Sequence, residues 1–205
     1  MTNSVKAVTL GIAGAFAAVA GLLIATLVMK PSGPPVLKAG TLLEKPRELP
    51  DFALSDTTGA PFGKDRLSGK WSVLFVGFTN CPDVCPNTMG VLKTVHAKLV
   101  EEQRPLQVVF LSVDPERDTH ESLDRYVHYF DPSFVGVTGA TAELDKVAAA
   151  MGFVYAKVPM PQSYTIEHWS GLILVNPQAQ VAGYFSAPVQ PAALTADLVN
   201  LIPKA

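Results

Sequence analysis

The chain has 205 residues, of which 48% are apolar, and a formal net charge of −2. This length allows one domain with an appended segment, and the apolar fraction is sufficient for a core. The slightly acidic balance, without a run of Lys or Arg, excludes a basic nucleic-acid surface, so no nucleic-acid partner is expected. The only two cysteines, Cys81 and Cys85, are too few for a disulfide scaffold or a four-thiolate zinc site.

An uncharged apolar run over residues 7–29 follows a short tail, residues 1–6, and ends at Lys30-Pro31. At about 1.5 Å per residue this run is long enough to cross a bilayer core of about 30 Å. A cleaved signal peptide is the alternative, but its apolar region is usually only about 7–15 residues, so an uncleaved transmembrane helix is favoured. The Pro-rich residues 30–46 predict a linker that carries a domain of residues 47–205.

The rest of the chain alternates between strand-like and helix-like segments. Continuous apolar runs predict buried strands, and apolar residues spaced by three and four predict helices packed on a sheet. The predicted strands are a short pair around Thr58-Gly59, then 73–78, 106–113, 134–138, 154–158, 171–175 and 181–185, and the predicted helices are 87–100, 119–130, 141–151 and 190–201. This order, which closes with a hairpin around residues 176–179 and a helix, predicts an α/β sandwich with a mixed central sheet.

Three local features refine these elements. Asp118 followed by Glu121 resembles a capping box at the start of the helix 119–130. Gly152 is expected to close the helix that precedes it. The segment 159–167, which begins Pro-Met-Pro, predicts a mobile loop.

Both cysteines lie between a predicted strand and a predicted helix, in the segment Phe78-Thr-Asn-Cys81-Pro-Asp-Val-Cys85-Pro86. The prolines favour the first turn of a helix, where their missing N–H groups cost nothing. Positions i and i+4 lie on one helix face about one turn apart, so the two thiols can share a metal ion or a disulfide. A helix N-terminus also favours the thiolate over the thiol.

Three kinds of chemistry fit such a thiol pair. Soft thiolates select Cu(I), and two of them with one imidazole make a three-coordinate copper site. A dithiol–disulfide exchanger needs only the two thiols. A structural disulfide ranks last, because so short a loop adds little stability. A peroxidase would need its own activated cysteine, and Thr79-Asn-Cys81 gives little sign of one.

A histidine separates the copper site from the exchanger. His96 follows Cys85 in the same helix by about 16 Å, too far to join it, and is expected at the edge of the core. His120 and His128 belong to the next helix, where surface or packing roles are expected. His168 lies in a segment that leads into the last hairpin and that can converge with the thiol turn. Met160 offers a soft sulfur, although Met more often fills gaps in a core.

These residues resemble a known family, Sco/SenC, over about residues 49–203. The resemblance is carried by Gly77-Phe-Thr-Asn-Cys-Pro-Asp-Val-Cys-Pro86, by Phe110-Leu-Ser-Val-Asp-Pro-Glu-Arg-Asp-Thr119 and by a histidine before a hairpin. The family comprises membrane-tethered, thioredoxin-like copper chaperones for the binuclear copper centre of cytochrome c oxidase. The resemblance implies a thioredoxin-like fold, one copper ion as Cu(I) or Cu(II), thiolate ligands from Cys81 and Cys85, and an imidazole ligand from His168.

The chain departs from the family pattern at three places. Glu167 stands where the family usually has Asp, which alters the geometry if that carboxylate orients the imidazole. His120 stands where a proline is common, and Trp169-Ser-Gly171 are not the usual residues. These departures bear on the partner surface more than on the three ligands.

The expected function is that of a copper metallochaperone that serves cytochrome c oxidase. Its expected partners are the copper-receiving oxidase subunit and a thiol reductant, because a disulfide between the ligand thiols would switch copper binding off. The alternative is a membrane-tethered thiol–disulfide oxidoreductase acting on the cysteines of the oxidase copper site. In either case, the expected location is the bacterial inner membrane, with one span and the soluble domain in the periplasm.

Overall fold

The computed structural model describes residues 36–205. The predicted tail, the predicted transmembrane helix over residues 7–29 and the first part of the predicted linker lie outside the described residues. Among residues 36–205, no helix combines the length and the apolar character needed to cross a membrane.

Ten strands and four α-helices make up the described chain. The strands are β1 Gly40–Glu48, β2 Leu54–Asp56, β3 Pro61–Phe62, β4 Trp71–Gly77, β5 Leu106–Ser112, β6 Val135–Thr138, β7 Tyr155–Met160, β8 Ser163–His168, β9 Leu172–Val175 and β10 Gln180–Phe185. The helices are α1 Val84–Glu101, α2 His120–Phe130, α3 Thr141–Met151 and α4 Pro191–Leu201, with a short 3₁₀ helix at Lys64–Leu67.

Eight of these strands form one mixed sheet in the order β1-β10-β9-β4-β5-β6-β2-β3. The neighbours β4, β5 and β6 run parallel, whereas β9 pairs antiparallel with β4. Strands β9 and β10 form the predicted hairpin, in which the N–H of Ala179 donates to the carbonyl of Asn176. The mixed central sheet that the sequence predicted is confirmed.

The central strands are buried on both faces, which explains their uninterrupted apolar runs. Successive side chains of a strand point to opposite faces. Val73 and Phe75 pack in one cluster with buried residues of α1, α2 and α4, whereas Leu74 and Val76 pack in the other with buried residues of α3. The sheet is therefore covered by helices on both sides, as an α/β sandwich requires.

The predicted linker contains a strand that the sequence pattern did not predict. Residues 40–46, predicted as linker, belong to β1, which pairs antiparallel with β10 from Gly40 opposite Phe185. The strand was missed because β1 lies at the edge of the sheet and most of its residues are half-buried or exposed, which leaves little apolar pattern. Lys38 and Ala39 lie just before β1. Their N–H groups donate hydrogen bonds to the buried carboxylate of Asp197 at 2.8 and 2.7 Å.

The prediction of a mobile loop at residues 159–167 is wrong. These residues form most of the β7–β8 hairpin, which pairs from Tyr155 opposite His168 to Met160 opposite Ser163. Proline is tolerated in strands that lie at an edge, and Pro159 pairs opposite Tyr164 in such a two-stranded sheet. The nearby prolines therefore favoured a loop prediction over the weak alternation of buried and exposed residues along 163–168.

The predicted capping box at the start of α2 is also wrong. Thr119 is the N-cap, and its hydroxyl accepts a hydrogen bond from the N–H of Ser122 at 3.2 Å. Asp118 is buried and bonds elsewhere, to the segment that carries the cysteines. At the other end of the next helix, Gly152 closes α3 as predicted, with a left-handed φ of 74° that favours glycine.

Candidate metal centre

The two thiols lie where the chain passes from β4 to α1. Cys81 is half-buried in the turn, and Cys85, the second residue of α1, is completely buried. Both are free thiols, and the N–H of Cys85 donates to Sγ of Cys81 at 3.4 Å. Gly77 ends β4 directly against the buried thiol, where a Cβ atom would lie only 2.8 Å from Sγ of Cys85. The strand can approach Cys85 this closely because Gly77 has no side chain.

His168 completes the cluster from the far end of the hairpin. It is the last residue of β8, and its Nε2 lies 3.6 Å from Sγ of Cys85. One ligand atom each from Cys81, Cys85 and His168 lie within 4.8 Å of one another. The structure thus brings together the three side chains singled out from the sequence, and their role as metal ligands stays a prediction.

The imidazole ring of His168 is held in one orientation. Its Nδ1–H donates to the main-chain carbonyl of Trp169 at 3.0 Å, and the rings of Phe75 and Phe78 contact it edge-on at centroid distances of 6.2 and 5.9 Å. Burial lowers the pKa of His168 below its ordinary value of 6.5, although the hydrogen bond to Trp169 opposes this shift. The ring is therefore neutral at pH 7, and the lone pair of Nε2 faces the sulfur atoms.

The expected role of the residue before the histidine is not seen. Glu167 lies on the exposed face of β8, because alternate residues of a strand point to opposite sides. The carbonyl of Trp169, and not the carboxylate of Glu167, accepts the hydrogen bond from the imidazole. A second departure has an equally local explanation, since His120 is the first residue of α2, a position that also suits proline.

The expectation that the helix N-terminus favours a thiolate is wrong for Cys85. Burial raises the pKa of this thiol far above its ordinary value of 9.0, and the neighbouring Cys81 and Asp118 add to the shift. The loss of hydration outweighs the partial positive charge of the helix end. In the metal-free protein, Cys85 therefore keeps its proton and donates it to the lone pair of Nε2 of His168.

The donor set fits a soft metal ion. Thiolate and imidazole ligands lie about 2.0–2.3 Å from a first-row ion, so two such ligand atoms can be at most about 4.6 Å apart. The ligand atoms of the cluster lie within 4.8 Å of one another, close to that limit. Two sulfurs and one neutral imidazole suit Cu(I), whereas a structural zinc site takes four ligands. Among residues 36–205, this is the only group of three or more His, Cys, Asp or Glu side chains arranged to hold an ion.

The other candidate ligands lie outside the cluster. His96 contacts Asp131 at 3.4 Å and packs edge-on against Phe134, as its predicted place at the core edge requires. His128 pairs with Asp124 at 3.2 Å, and Nε2 of His120 lies 2.9 Å from the hydroxyl of Ser55, so their predicted surface and packing roles are confirmed. Met160 is half-exposed at the tip of the hairpin, about 16 Å along β8 from His168.

The residues that hold the cluster in place are not evident from the sequence pattern. The carboxylate of Asp118 accepts hydrogen bonds from the N–H and hydroxyl of Thr79 at 2.9 and 2.6 Å. Arg117 contacts the hairpin through the main-chain carbonyl of Tyr164 at 3.0 Å. The only sequence signal for Asp118 and Arg117 is their place in the family motif of residues 110–119. Contacts between distant segments leave no periodic pattern in a sequence.

The match to a known protein family covers nearly all of the residues that the structure describes. The model of the SCO1/SenC family matches residues 41–203. A Stutzerimonas stutzeri protein, provisionally named a copper-binding protein, is similar to this chain. The two are 34% identical over 151 residues, which are 73% of this chain and 74% of that protein. The mitochondrial SCO2 homolog of Mus musculus is 37% identical over 139 residues, 66% of this chain, and the match spans only about half (54%) of that protein.

A solved structure agrees with the fold. The copper-bound crystal structure of Arabidopsis thaliana ScoI superimposes with a TM-score of 0.70 at 31% identity, covering 74% of this chain and 95% of the other. This likeness confirms the thioredoxin-like α/β fold, and copper is bound in that relative. With a family match over most of its length and a relative at 34% identity, the chain belongs to the SCO1/SenC family.

Proposed function

We propose that this chain is a copper metallochaperone, which holds one copper ion through Cys81, Cys85 and His168 and delivers it to the binuclear copper centre of cytochrome c oxidase. The observation that carries the proposal is the convergence of two thiols and one neutral imidazole within 4.8 Å. The copper-bound structure of a relative at 31% identity supports it. The oxidase as recipient rests on the resemblance of the sequence motifs to the family.

Loading requires one proton to leave the buried side of the site. In the metal-free protein, Cys85 donates its proton to Nε2 of His168 across 3.6 Å. Copper takes the place of that proton, which passes to solvent, and Cys81 adds the second sulfur as it releases its own thiol proton to solvent. The hydrogen bond of Nδ1 to the carbonyl of Trp169 keeps the ring aimed at the ion throughout.

Release begins at the more accessible of the two sulfur ligands. Cys81 is half-buried, whereas Cys85 is completely buried. An incoming cysteine of the recipient therefore replaces Cys81 first and reaches the bond to Cys85 last. The copper passes between partners without leaving sulfur coordination, which keeps a soft ion bound during transfer.

The test compares copper binding by reduced wild-type protein and His168→Ala, with His128→Ala as the matched control. His128 pairs with Asp124 on the exposed face of α2, away from the cluster. We expect one copper per chain and a thiolate-to-Cu(II) absorption band in wild type and control, and loss of both in His168→Ala. Wild-type copper binding by His168→Ala would contradict the proposed ligand set, and failure to load an isolated oxidase copper domain would contradict the delivery step.

A second function, thiol–disulfide exchange, is favoured by the unequal exposure of the two thiols. The accessible Cys81 attacks a partner disulfide as thiolate and forms a mixed disulfide, releasing one partner thiolate. Cys85 then displaces the second partner thiolate, so the chain becomes a disulfide and the partner gains two thiols. A thiol reductant of another protein restores the dithiol. Exchange that persists in His168→Ala, together with lost copper binding, would show that the two functions are separable.

We further propose that residues 7–29 anchor the chain as a single span in a bacterial inner membrane, with residues 47–205 in the periplasm. The apolar run in the sequence supports this location. An alkaline phosphatase fused after Ala205 should be active, and the full chain should sediment with membranes. A chain that lacks residues 7–29 should stay soluble, and an inactive full-length fusion would contradict the orientation.

A further inference from the structure

The hairpin that carries His168 is not part of the main sheet. Among residues 36–205, strands β7 and β8 pair only with each other, in a two-stranded sheet. No ladder of main-chain hydrogen bonds to the eight-stranded sheet therefore fixes the distance between the imidazole and the thiols. Ile166 buries one face of β8 in the core, but apolar packing is not directional. Besides the short covalent link from His168 to β9 at Leu172, directional contacts from other side chains can position the hairpin.

Those contacts come from residues 114–118, between β5 and α2, which we call the clamp loop. Its Asp114 is buried, accepts a hydrogen bond from the hydroxyl of Tyr164 at 2.7 Å and pairs with Nε of Arg117. Arg117 also donates to the carbonyl of Tyr164 at 3.0 Å, and its guanidinium lies 3.8 Å from the centre of the Tyr164 ring. Tyr164 and His168 share the same face of β8. The clamp loop thus holds the hairpin by three contacts to one residue.

A surface pair adds to this connection. Glu116 of the clamp loop pairs with Lys157 of β7 at 2.6 Å, but both side chains are about half exposed or more. Exposed ion pairs contribute little stability. The contacts of Asp114 and Arg117 are better shielded from water, so the positional constraint comes mainly from them.

The other end of the clamp loop holds the thiol turn. Asp118 is 2% exposed and has no cationic partner among the ion pairs of residues 36–205. Instead, its carboxylate accepts three hydrogen bonds, from the N–H and hydroxyl of Thr79 and from the hydroxyl of Ser112 at 2.5 Å. Thr79 precedes Cys81 by two residues. Arg117 reinforces this end because its guanidinium lies 5.7 Å from the ring of Phe78.

We propose that the clamp loop sets the separation between the thiols and the imidazole, with Arg117 positioning His168 and Asp118 positioning Cys81. One five-residue segment grips both elements that supply ligands, so the geometry of the site depends on residues that contribute no ligand atom. The inference rests on the proposed function, since the ligand set is that of the copper site. Partners of this kind typically change metal affinity by about 10- to 100-fold.

The first test replaces the hairpin contacts, using Arg117→Gln and Tyr164→Phe. The second variant removes only the hydroxyl that donates to Asp114, so it keeps the ring and the fold. The matched control is Arg125→Gln, whose arginine pairs with Glu121 on an exposed face of α2. We expect Cu(I) affinity to fall about tenfold in both clamp variants, with altered nitrogen hyperfine coupling in the Cu(II) electron spin resonance spectrum. Affinity and spectra identical to Arg125→Gln would overturn the proposal.

A second measurement does not depend on copper. In the metal-free protein, amide hydrogen exchange over residues 163–168 should become at least about tenfold faster in Arg117→Gln, with unchanged exchange in β4 and β5. Unchanged exchange in the hairpin would overturn the proposal. If the wild-type chain bound no copper, the proposed function would fail, while this measurement would still decide whether the clamp loop holds the hairpin.

The thiol turn has its own test. In the wild-type chain, the hydroxyl of Thr79 donates to the carboxylate of Asp118, whereas Asp118→Asn places an amide there, whose N–H₂ group cannot accept a hydrogen bond. The matched control is Asp124→Asn, at an exposed position on α2. We expect the alkylation rate of Cys81 by iodoacetamide to rise several-fold in Asp118→Asn only, because the turn loses its restraint. Equal rates in the two variants would overturn the role of Asp118.

Discussion

The sulfur of Cys85 lies 3.6 Å from Nε2 of His168, although 83 positions separate the two residues in the chain. Burial keeps the thiol protonated and the imidazole neutral, so a single proton lies between them at pH 7. A metal ion that binds the same two atoms must remove that proton. The protonation of this pair therefore links pH to metal affinity and to the stability of the metal-free protein.

The first prediction concerns copper affinity and pH. Because burial raises the pKa of Cys85, each binding event releases its proton across the physiological range. The apparent Cu(I) affinity should rise about tenfold per pH unit for each proton released. Competition with a chromophoric chelator of known pH dependence, between pH 6.5 and 8.5, measures this slope. An affinity independent of pH would show that Cys85 is already a thiolate before metal binds.

The second prediction concerns the stability of the reduced, metal-free protein. In an unfolded chain, this cysteine titrates near its ordinary pKa of 9.0. Since the folded pKa of Cys85 is raised, its contribution to stability is complete below that pH and is lost as the pH rises above it. The free energy of unfolding in urea should fall between pH 8 and 10, and fall less in Cys85→Ala. The control Cys81→Ala keeps the buried thiol, so a reduced fall in that variant instead would contradict the assignment to Cys85.

The third prediction concerns the close approach of β4 to the buried thiol. A Cβ atom at Gly77 would lie 2.8 Å from Sγ of Cys85 and 2.8 Å from the ring of Phe110. Gly77→Ala should destabilise the protein by about 1–3 kcal/mol and weaken copper binding, because overpacking displaces the sulfur. At Gly90, in α1, a Cβ atom would meet nothing within 4 Å. Gly90→Ala should therefore stabilise the helix by about 0.5–1 kcal/mol and leave copper binding unchanged.

Chemical denaturation and copper titration of these two glycine variants measure both effects. Equal stability of Gly77→Ala and wild type would contradict the tight contact between β4 and Cys85. Weaker copper binding by Gly90→Ala would show that any change near the helix disturbs the site.

The fourth prediction separates two possible caps of α2. The hydroxyl of Thr119 accepts the N–H of Ser122, whereas Glu121 is an exposed residue paired with Arg125. Thr119→Ala should cost about 1 kcal/mol of unfolding free energy. Glu121→Ala should cost less than about 0.5 kcal/mol. Thermal or urea unfolding measures both, and a larger loss in Glu121→Ala would support the capping box that the structure does not show.

The elements predicted correctly are those with a strong local pattern. The runs at residues 73–78 and 106–113 are β4 and β5, because strands buried on both faces must be apolar throughout. The helix after the thiol turn was placed by its prolines and its apolar spacing, and α1 begins two residues before Pro86. The local sequence pattern is therefore enough to predict such elements.

The elements predicted wrongly depend on tertiary contacts. β1 forms by pairing with β10 at the edge of the sheet, and its own sequence shows little strand pattern. Residues 159–167 of the β7–β8 hairpin were predicted as a loop because the prolines outweighed a weak alternation. Asp118 was read as a cap because its distant partner, Thr79, cannot be identified from spacing. Burial likewise decided the protonation of Cys85, and no count of residues between cysteines reveals burial.

For the site itself, the sequence predicted the three candidate ligands but not their support. The two thiols were placed by their motif, and His168 was chosen among four histidines mainly by the family resemblance. The structure adds the carbonyl of Trp169, which holds the imidazole, and the clamp loop, which connects both halves of the site. Main-chain carbonyls cannot be recognised as partners in a sequence, since every residue has one.

The last prediction tests whether the residue before the histidine orients the ring. Glu167 replaces the aspartate usual in the family, yet it lies on the exposed face of β8, and the carbonyl of Trp169 accepts the Nδ1 hydrogen bond at 3.0 Å. Glu167→Asp should therefore change Cu(I) affinity by less than about threefold, well below the 10- to 100-fold effect of a true partner of a ligand. Chelator competition at pH 7.5 compares this variant with wild type and with His168→Ala, which should bind far more weakly. A tenfold or larger change in Glu167→Asp would mean that the carboxylate reaches the imidazole in the copper-loaded protein and that the Trp169 carbonyl does not orient the ring alone.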